Sequence, residues 1–301
     1  MSRGETRFRL QSYDSSCAGR LGILTLTREG GPRRPPVFDR AALDSLEEAL
    51  DEFERQDPSG LLVTGKPFGF AAGADLDEFV GADAAFAREA VATAFEVAGR
   101  LKKRAVRCAD ATAFVVNRLL LRFMVPCLQA ASAGAGFRDV DRAIQTLGLP
   151  MGPFALLGLV GPEIAWHTLE SLHEAFPERF PLDRNLRMLA EGDHAGVYTT
   201  EGEVDEEVRG KWEVDAEARA PGEEEIRQRA LEALAREVHA LLEQDVVEDA
   251  RDVDTCLILG AGWPFFTGGI CKHLDQIGIS EKLFGEPLVG PEDPTRKGDP
   301  S

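Results

Sequence analysis

Two stretches of the 301-residue sequence repeat one pattern, and that repetition constrains the fold more than any single motif does. The first runs Asp139-Val140-Asp141-Arg142-Ala143-Ile144 and leads to Gly148-Leu149-Pro150-Met151-Gly152-Pro153. The second runs Asp252-Val253-Asp254-Thr255-Cys256-Leu257 and leads to Gly262-Trp263-Pro264-Phe265-Phe266-Thr267-Gly268-Gly269. Each is preceded by an amphipathic helix, so the C-terminal region reads as two related helical units packed together. The alternative is two similar helix exits through Gly and Pro, a common way for helices to end.

The rest of the chain divides by texture. Residues 6–12 and 21–27 have the alternating or clustered apolar and Thr pattern of strands, and Gly30-Gly31-Pro32 and Pro35-Pro36 mark a loop after them. Asp39 is placed to cap a helix whose apolar stripe is Leu43, Leu46, Leu50 and Phe53, and residues 60–64 read as a short buried strand. This ββαβ opening is too small to bury both faces of its sheet alone. From about residue 84 the pattern is helical, over 84–103, 113–133, 137–147, 153–175, 183–191, 223–244 and 249–259, with 105–108 as a brief strand. The acidic connector 199–222 has too few apolar residues to pack well and is expected to be flexible, and 288–301 to be a frayed tail.

Composition removes several function classes. The chain is 44% hydrophobic, enough for a real core, and 52 acidic against 34 basic residues give a formal charge of −18. That charge repels nucleic acid and anionic membrane, so neither is an expected partner. Met1 to Leu10 lack the apolar core of a signal peptide, and no window approaches the ~20 apolar residues of a membrane span. Cys17, Cys108, Cys127, Cys256 and Cys271 form no Cys-x-x-Cys pair or disulfide ladder, as expected of reduced packing residues in a cytoplasmic protein. No metal site is expected.

Two stretches imitate nucleotide-binding motifs and fail on chemistry. Residues 60–66 spell G-x-x-x-x-G-K, but Pro67 replaces the Ser or Thr that would hold Mg²⁺, and Leu61-Leu62-Val63 is strand-like. Leu257-Ile258-Leu259-Gly260-Ala261-Gly262 imitates a dinucleotide fingerprint, yet Phe265 stands where the third glycine belongs and Trp263 and Pro264 would crowd a pyrophosphate.

Phe70-Ala71-Ala72-Gly73-Ala74-Asp75-Leu76 follows the strand at 60–64, with small residues that let a ligand approach backbone N–H groups able to polarise a carbonyl. By spacing alone a structural loop is an equal reading. The segment resembles the first acyl-CoA loop of the enoyl-CoA hydratase (crotonase) family over residues 6–82. That resemblance implies a substrate-binding role for Ala72, Gly73 and Ala74, with Ala74 giving one oxyanion-hole N–H. The family's second glycine-rich loop and its catalytic glutamates do not follow.

Phe114-Val115-Val116-Asn117-Arg118-Leu119-Leu120 opens an apolar helix, and an Asn there is by spacing a cap, a satisfied polar group or a catalytic amide. Together with Gly148 to Leu157 and Gly262 to Asp275, this stretch resembles the helical C-terminal half of 3-hydroxyacyl-CoA dehydrogenases as fused into the fatty-acid β-oxidation α subunit, over residues 93–284. The resemblance implies that Asn117 contacts the reacting oxygen of substrate. It also implies NAD as the family's cofactor, yet the chain passes from hydratase-like Phe79 to dehydrogenase-like Ala94 in about 15 residues, without a Rossmann unit. His167, His173, His194, His239 and His273 lack the setting of the family's base and read as solvated or structural. Lys102-Lys103-Arg104 would suit a CoA phosphate, though cations are also at home in a helix's last turn.

The expected fold is mainly α with a small N-terminal α/β part: an incomplete crotonase-like ββαβ fragment at 1–83, helical units at 84–221 and 222–287, and a tail at 288–301. The expected function is acyl-CoA binding or an assembly role without independent catalysis, binding no NAD itself, as a homo-oligomer or with a β-oxidation partner. The alternatives are a 3-hydroxyacyl-CoA dehydrogenase completed by a separate NAD-binding chain and a non-functional product of an internal deletion.

Overall fold

The computed structural model describes residues 6–17, 19–29, 36–65, 84–192 and 194–290. They fall into two compact units, Met1–Glu96 and Val97–Ser301. In the first, β1 (Thr6–Ser15) pairs antiparallel with β2 (Gly19–Arg28), and β2 pairs parallel with β3 (Gly60–Thr64). The helix α1 (Arg40–Arg55) makes the crossover that parallel pairing requires. Its N-cap is Asp39, whose carboxylate accepts the Ala42 N–H at 2.8 Å. The face α1 turns inward differs from the expected stripe: Ala42 and Ala49 are buried and Leu46 packs on Phe8, Leu24 and Leu26, whereas Leu43 and Leu50 are exposed. Phe53 of the expected stripe also packs inward, against Gly22 of β2. Leu61, Leu62 and Val63 of β3 also remain exposed, so the expectation of a buried strand there fails.

The second unit is helical. The helix α2 (Ala84–Arg100) runs across the division, and 101–115 follows without regular structure. Residues 105–108 form no strand; Ala109 donates instead to the Val246 carbonyl at 2.8 Å. Then come α3 (Val116–Ser132), α4 (Phe137–Gln145), α5 (Pro153–Val160), α6 (Pro162–Ala175) and α7 (Arg184–Glu191). The expected single helix over 153–175 is two, because Gly161 takes φ 96° and Pro162 opens a new helix. After α8 (Glu206–Lys211), the long α9 (Glu223–Glu243) packs along α3. The chain ends in α10 (Ala250–Ala261), a 3₁₀ turn at Phe265–Thr267, α11 (Ile270–Gln276) and α12 (Ile279–Phe284).

The acidic connector is folded, contrary to expectation. Val208 and Trp212 are buried, and Trp212 sits edge-on to Phe137 and Phe154 at 4.7 and 5.8 Å between centroids. Arg138 ties to Glu203 at 2.7 Å and to the Gly202 carbonyl at 2.8 Å. One large indole buried among aromatics outweighs the poverty of apolar residues around it. The start of the expected tail is likewise held, with Leu288 buried and its N–H donated to Asp275 at 2.8 Å.

Behind α3 lies a buried ionic cluster. Arg118 is fully buried, donates from Nε to Glu237 at 2.5 Å and from Nη2 to Gln244 at 2.8 Å, and stacks over Phe176. Glu237, also fully buried, takes a second bond from Arg179 at 2.9 Å, with Arg122 at 3.9 Å. No helix of the described residues is long and apolar enough to cross a membrane.

Candidate functional site

The chain reaches α3 through a strained turn. Ala113 and Phe114 both adopt left-handed backbone, φ 60° and 51°, a conformation costing about 1–2 kcal/mol for a residue with a Cβ. The helix then starts at Val115 with no side-chain cap. Asn117 therefore is not the cap: it stands in the first turn, exposed, and its side chain has no hydrogen-bond partner among the described residues. Arg118, the next residue, is fully buried and bonded to Glu237.

Asn117 borders an apolar cleft of about 400 Å³. Its floor is Leu119, Phe123 and Met124 of α3 with Leu234 of α9. One wall is Leu149-Pro150-Met151-Gly152-Pro153 with Leu156, and the other is Gly260, Ala261 and Trp263. Residues of both repeated exits thus line one cleft, and the exits touch at Gly148, where the Phe266 ring and Pro264 leave no room for a Cβ. Leu159 and Val160 stand exposed at its rim. Asn117 is the one side-chain amide in a lining otherwise apolar, and no histidine or carboxylate lines the cleft among the described residues. A smaller apolar pocket, also bordered by Asn117, continues along α3 toward Ile164 and Thr168 of α6.

Each copy of the repeated pattern carries a buried aspartate. Asp141 accepts the Phe154 N–H at 2.8 Å and the Tyr198 hydroxyl at 2.9 Å, and Asp254 accepts the Cys271 N–H at 2.7 Å. Burial pushes both carboxyls above the usual carboxylate range, against the lowering effect of these bonds. Burial likewise pushes up the Cys127 and Cys271 thiols, and raises Cys256 to about 11 with help from nearby Asp252 and Cys108. Such thiols stay protonated near neutral pH and are poor nucleophiles.

The histidines lie elsewhere: His167 meets Glu170 at 3.0 Å, His173 meets the Phe180 carbonyl at 2.9 Å, and His239 stacks on Phe284. His273, with a pKa pushed down by burial, lies 6.5 Å from Trp263 between centroids. Ala72, Gly73 and Ala74 lie outside the described residues. Lys102-Lys103-Arg104 follows the end of α2 rather than completing its last turn. The two glycine-rich stretches do not fit a pyrophosphate. One is β3; the other closes α10, with Gly262 left-handed at φ 71° and the Trp263 N–H returned to the Leu257 carbonyl at 3.0 Å. Among the described residues no cluster of His, Cys, Asp and Glu could hold a metal ion.

Asn117, the strained turn's Phe114, and the first repeated exit all fall within one region of known type. Residues 114–206 match the family model of the 3-hydroxyacyl-CoA dehydrogenase C-terminal domain. The fatty acid oxidation complex subunit alpha of Acinetobacter baumannii (strain SDF) is 30% identical over 213 residues, covering 64% of this chain and 29% of that protein. The subunit of the same name from Pseudomonas entomophila (strain L48) is 31% identical over 209 residues, with the same shares covered. Among solved structures, 3-hydroxybutyryl-CoA dehydrogenase from Escherichia coli K12 superposes with a TM-score of 0.48 at 17% identity, over 69% of this chain and 63% of that one. The chain is related to the 3-hydroxyacyl-CoA dehydrogenase and fatty acid oxidation alpha-subunit family and spans less than a third of the length of the curated relatives it matches.

Sequence reasoning singled out Asn117 and both exits, which border the cleft, and named nothing of what lies between them. Met124, Leu156 and Leu234 carry no signal that separates a cleft wall from a core. Tyr198 could have been suspected only from its place beside the acidic connector.

Proposed function

We propose that the helical unit binds an acyl-CoA, with the acyl chain in the apolar cleft and the thioester end at Asn117, and that the chain works in an assembly without turnover of its own. The observation that carries this reading is the cleft: a lining of hydrocarbon with one exposed amide at its edge that has no partner among the described residues. Such a site suits a ligand with a long apolar part and a single polar group to orient. At ~30 Å³ for a water-sized group, 400 Å³ admits on the order of ten methylenes. The absence of an acid or base from the described lining fits binding without chemistry. Within the same reading Ala72, Gly73 and Ala74 belong to an incomplete crotonase-like piece, NAD is not bound by this chain, and the cell compartment is the cytoplasm.

The test is calorimetric titration with acyl-CoAs of four to sixteen carbons. Affinity should rise about fourfold per methylene, at ~0.8 kcal/mol each, and level off near ten carbons. Equal affinity for CoA and decanoyl-CoA would overturn the reading. The match of 114–206 to a dehydrogenase C-terminal domain favours a second reading, a 3-hydroxyacyl-CoA dehydrogenase whose NAD-binding domain is another chain. Oxidation of NADH with acetoacetyl-CoA that appears only when cell extract is added, together with a co-purifying NAD-binding protein, would select it.

A further inference from the structure

The two aspartates of the repeated pattern are built alike and placed differently. Asp141 holds the Phe154 N–H and takes the Tyr198 hydroxyl; Asp254 holds the Cys271 N–H. In both, the glycine ahead of the held helix lies so close that an added Cβ would run into the carboxyl group, Gly152 against Asp141 and Gly269 against Asp254. The difference is what each one holds. Met151, Gly152 and Pro153, the residues leading into the Asp141-bound N–H, line the cleft, whereas Gly269, Ile270 and Cys271 do not. Trp263, which lines the cleft from the second copy along with Leu257, Gly260 and Ala261, is held by bonds that do not involve Asp254, from its N–H to the Leu257 carbonyl and from Nε1 to Thr267 Oγ1 at 3.2 Å.

We propose that Asp141 and Tyr198 are positioning residues that set the 149–153 wall of the cleft and thereby its affinity for the acyl chain, a role Asp254 does not share. The proposal rests on the acyl-CoA reading for its ligand. Asp141 reaches the wall through the backbone of Phe154 and is itself oriented by a hydroxyl from outside the repeat. Tyr198 in turn bridges to Val204 and lies under the Arg138 guanidinium, 5.7 Å from its ring. The position of the wall is therefore tied to the folded acidic connector.

The repeat supplies an internal control. Asp141→Ala and Asp254→Ala each orphan a buried backbone N–H and should both lower the melting temperature, Asp141→Ala somewhat more because the Tyr198 hydroxyl also loses its acceptor. Only Asp141→Ala should weaken decanoyl-CoA, by roughly tenfold, the loss of contact with one or two methylenes. Asp141→Asn, which keeps an acceptor for Phe154, should restore most of the affinity, and Tyr198→Phe should weaken binding while folding normally. Equal loss of affinity in the two alanine variants would reduce Asp141 to a structural role and overturn the proposal. Hydrogen exchange separates this from failure of the ligand reading. If the wild-type chain binds no acyl-CoA, faster exchange at 151–156 than at 263–271 in Tyr198→Phe still supports the positioning role, and unchanged exchange there overturns it.

Discussion

Glu237 is the residue whose loss the structure prices most sharply. It is fully buried, and its carboxylate is approached by the guanidinium groups of Arg118 at 2.5 Å, Arg179 at 2.9 Å and Arg122 at 3.9 Å. Glu237→Gln keeps the shape and removes the only negative charge bonded to the fully buried Arg118 among the described residues. Removing one partner of a buried pair costs about 3–5 kcal/mol, because the remaining charge has neither water nor a counter-ion. Arg122 and Arg179 retain some contact with solvent, so the lower half of that range is expected. For a unit of this size the loss corresponds to a fall in melting temperature of about 6–16 °C. The double variant Arg118→Met/Glu237→Met should recover a large part, since it removes both charges and lays apolar groups against Phe176. Thermal and urea melts followed by far-UV circular dichroism are the assay. A Glu237→Gln variant melting within 2 °C of the parent, about 0.5–1 kcal/mol, would refute the claim that this cluster anchors α3 on α9.

Three further outcomes are expected. Burial raises the pKa of Asp254 in the folded state, so its stability contribution is complete below the unfolded value near 3.8 and is lost as pH rises through the raised folded value. Relative to Asp254→Asn, the parent should lose stability as pH climbs from 4 toward neutrality; urea melts across that range showing a constant difference would refute this. Trp212→Ala, which removes the indole packed edge-on against both Phe137 and Phe154, should cost about 3–5 kcal/mol and open 199–222 to protease, and unchanged cleavage there would count against a folded connector. Crotonyl-CoA should keep its absorbance in the presence of the chain, because loss of a general acid or base alone slows such chemistry by about 10²–10⁴-fold; hydration at the rate of an intact hydratase would contradict the reading.

What the sequence disclosed and what it concealed follow one physical rule. The repeat was legible because its device depends on chemistry that few residues supply. A carboxylate can be buried only where N–H or O–H donors meet it, and it can approach the next helix only where a glycine leaves room, so Asp141 with Gly152 and Asp254 with Gly269 appear as letters in fixed order. The same hydrogen-bonded arrangement recurs in both places. Some helix boundaries were legible for a similar reason, with Asp39 and Gly262 marking a start and a stop by their backbone demands, whereas the break at Gly161-Pro162 inside 153–175 was not. Apolar residues carry less information, since Leu234 has the same transfer energy facing a cleft or a core, and Leu43 the same composition on either side of α1. The connector was misread because sparse apolar content was taken for weak packing. Burial depends on where area is placed, and Val208 with Trp212 puts it on Phe137 and Phe154, in the same wall of structure that Asp141 and Tyr198 brace. The segment that looked least ordered is thereby bonded to the motif that was easiest to see, and a change in either should be felt in the cleft.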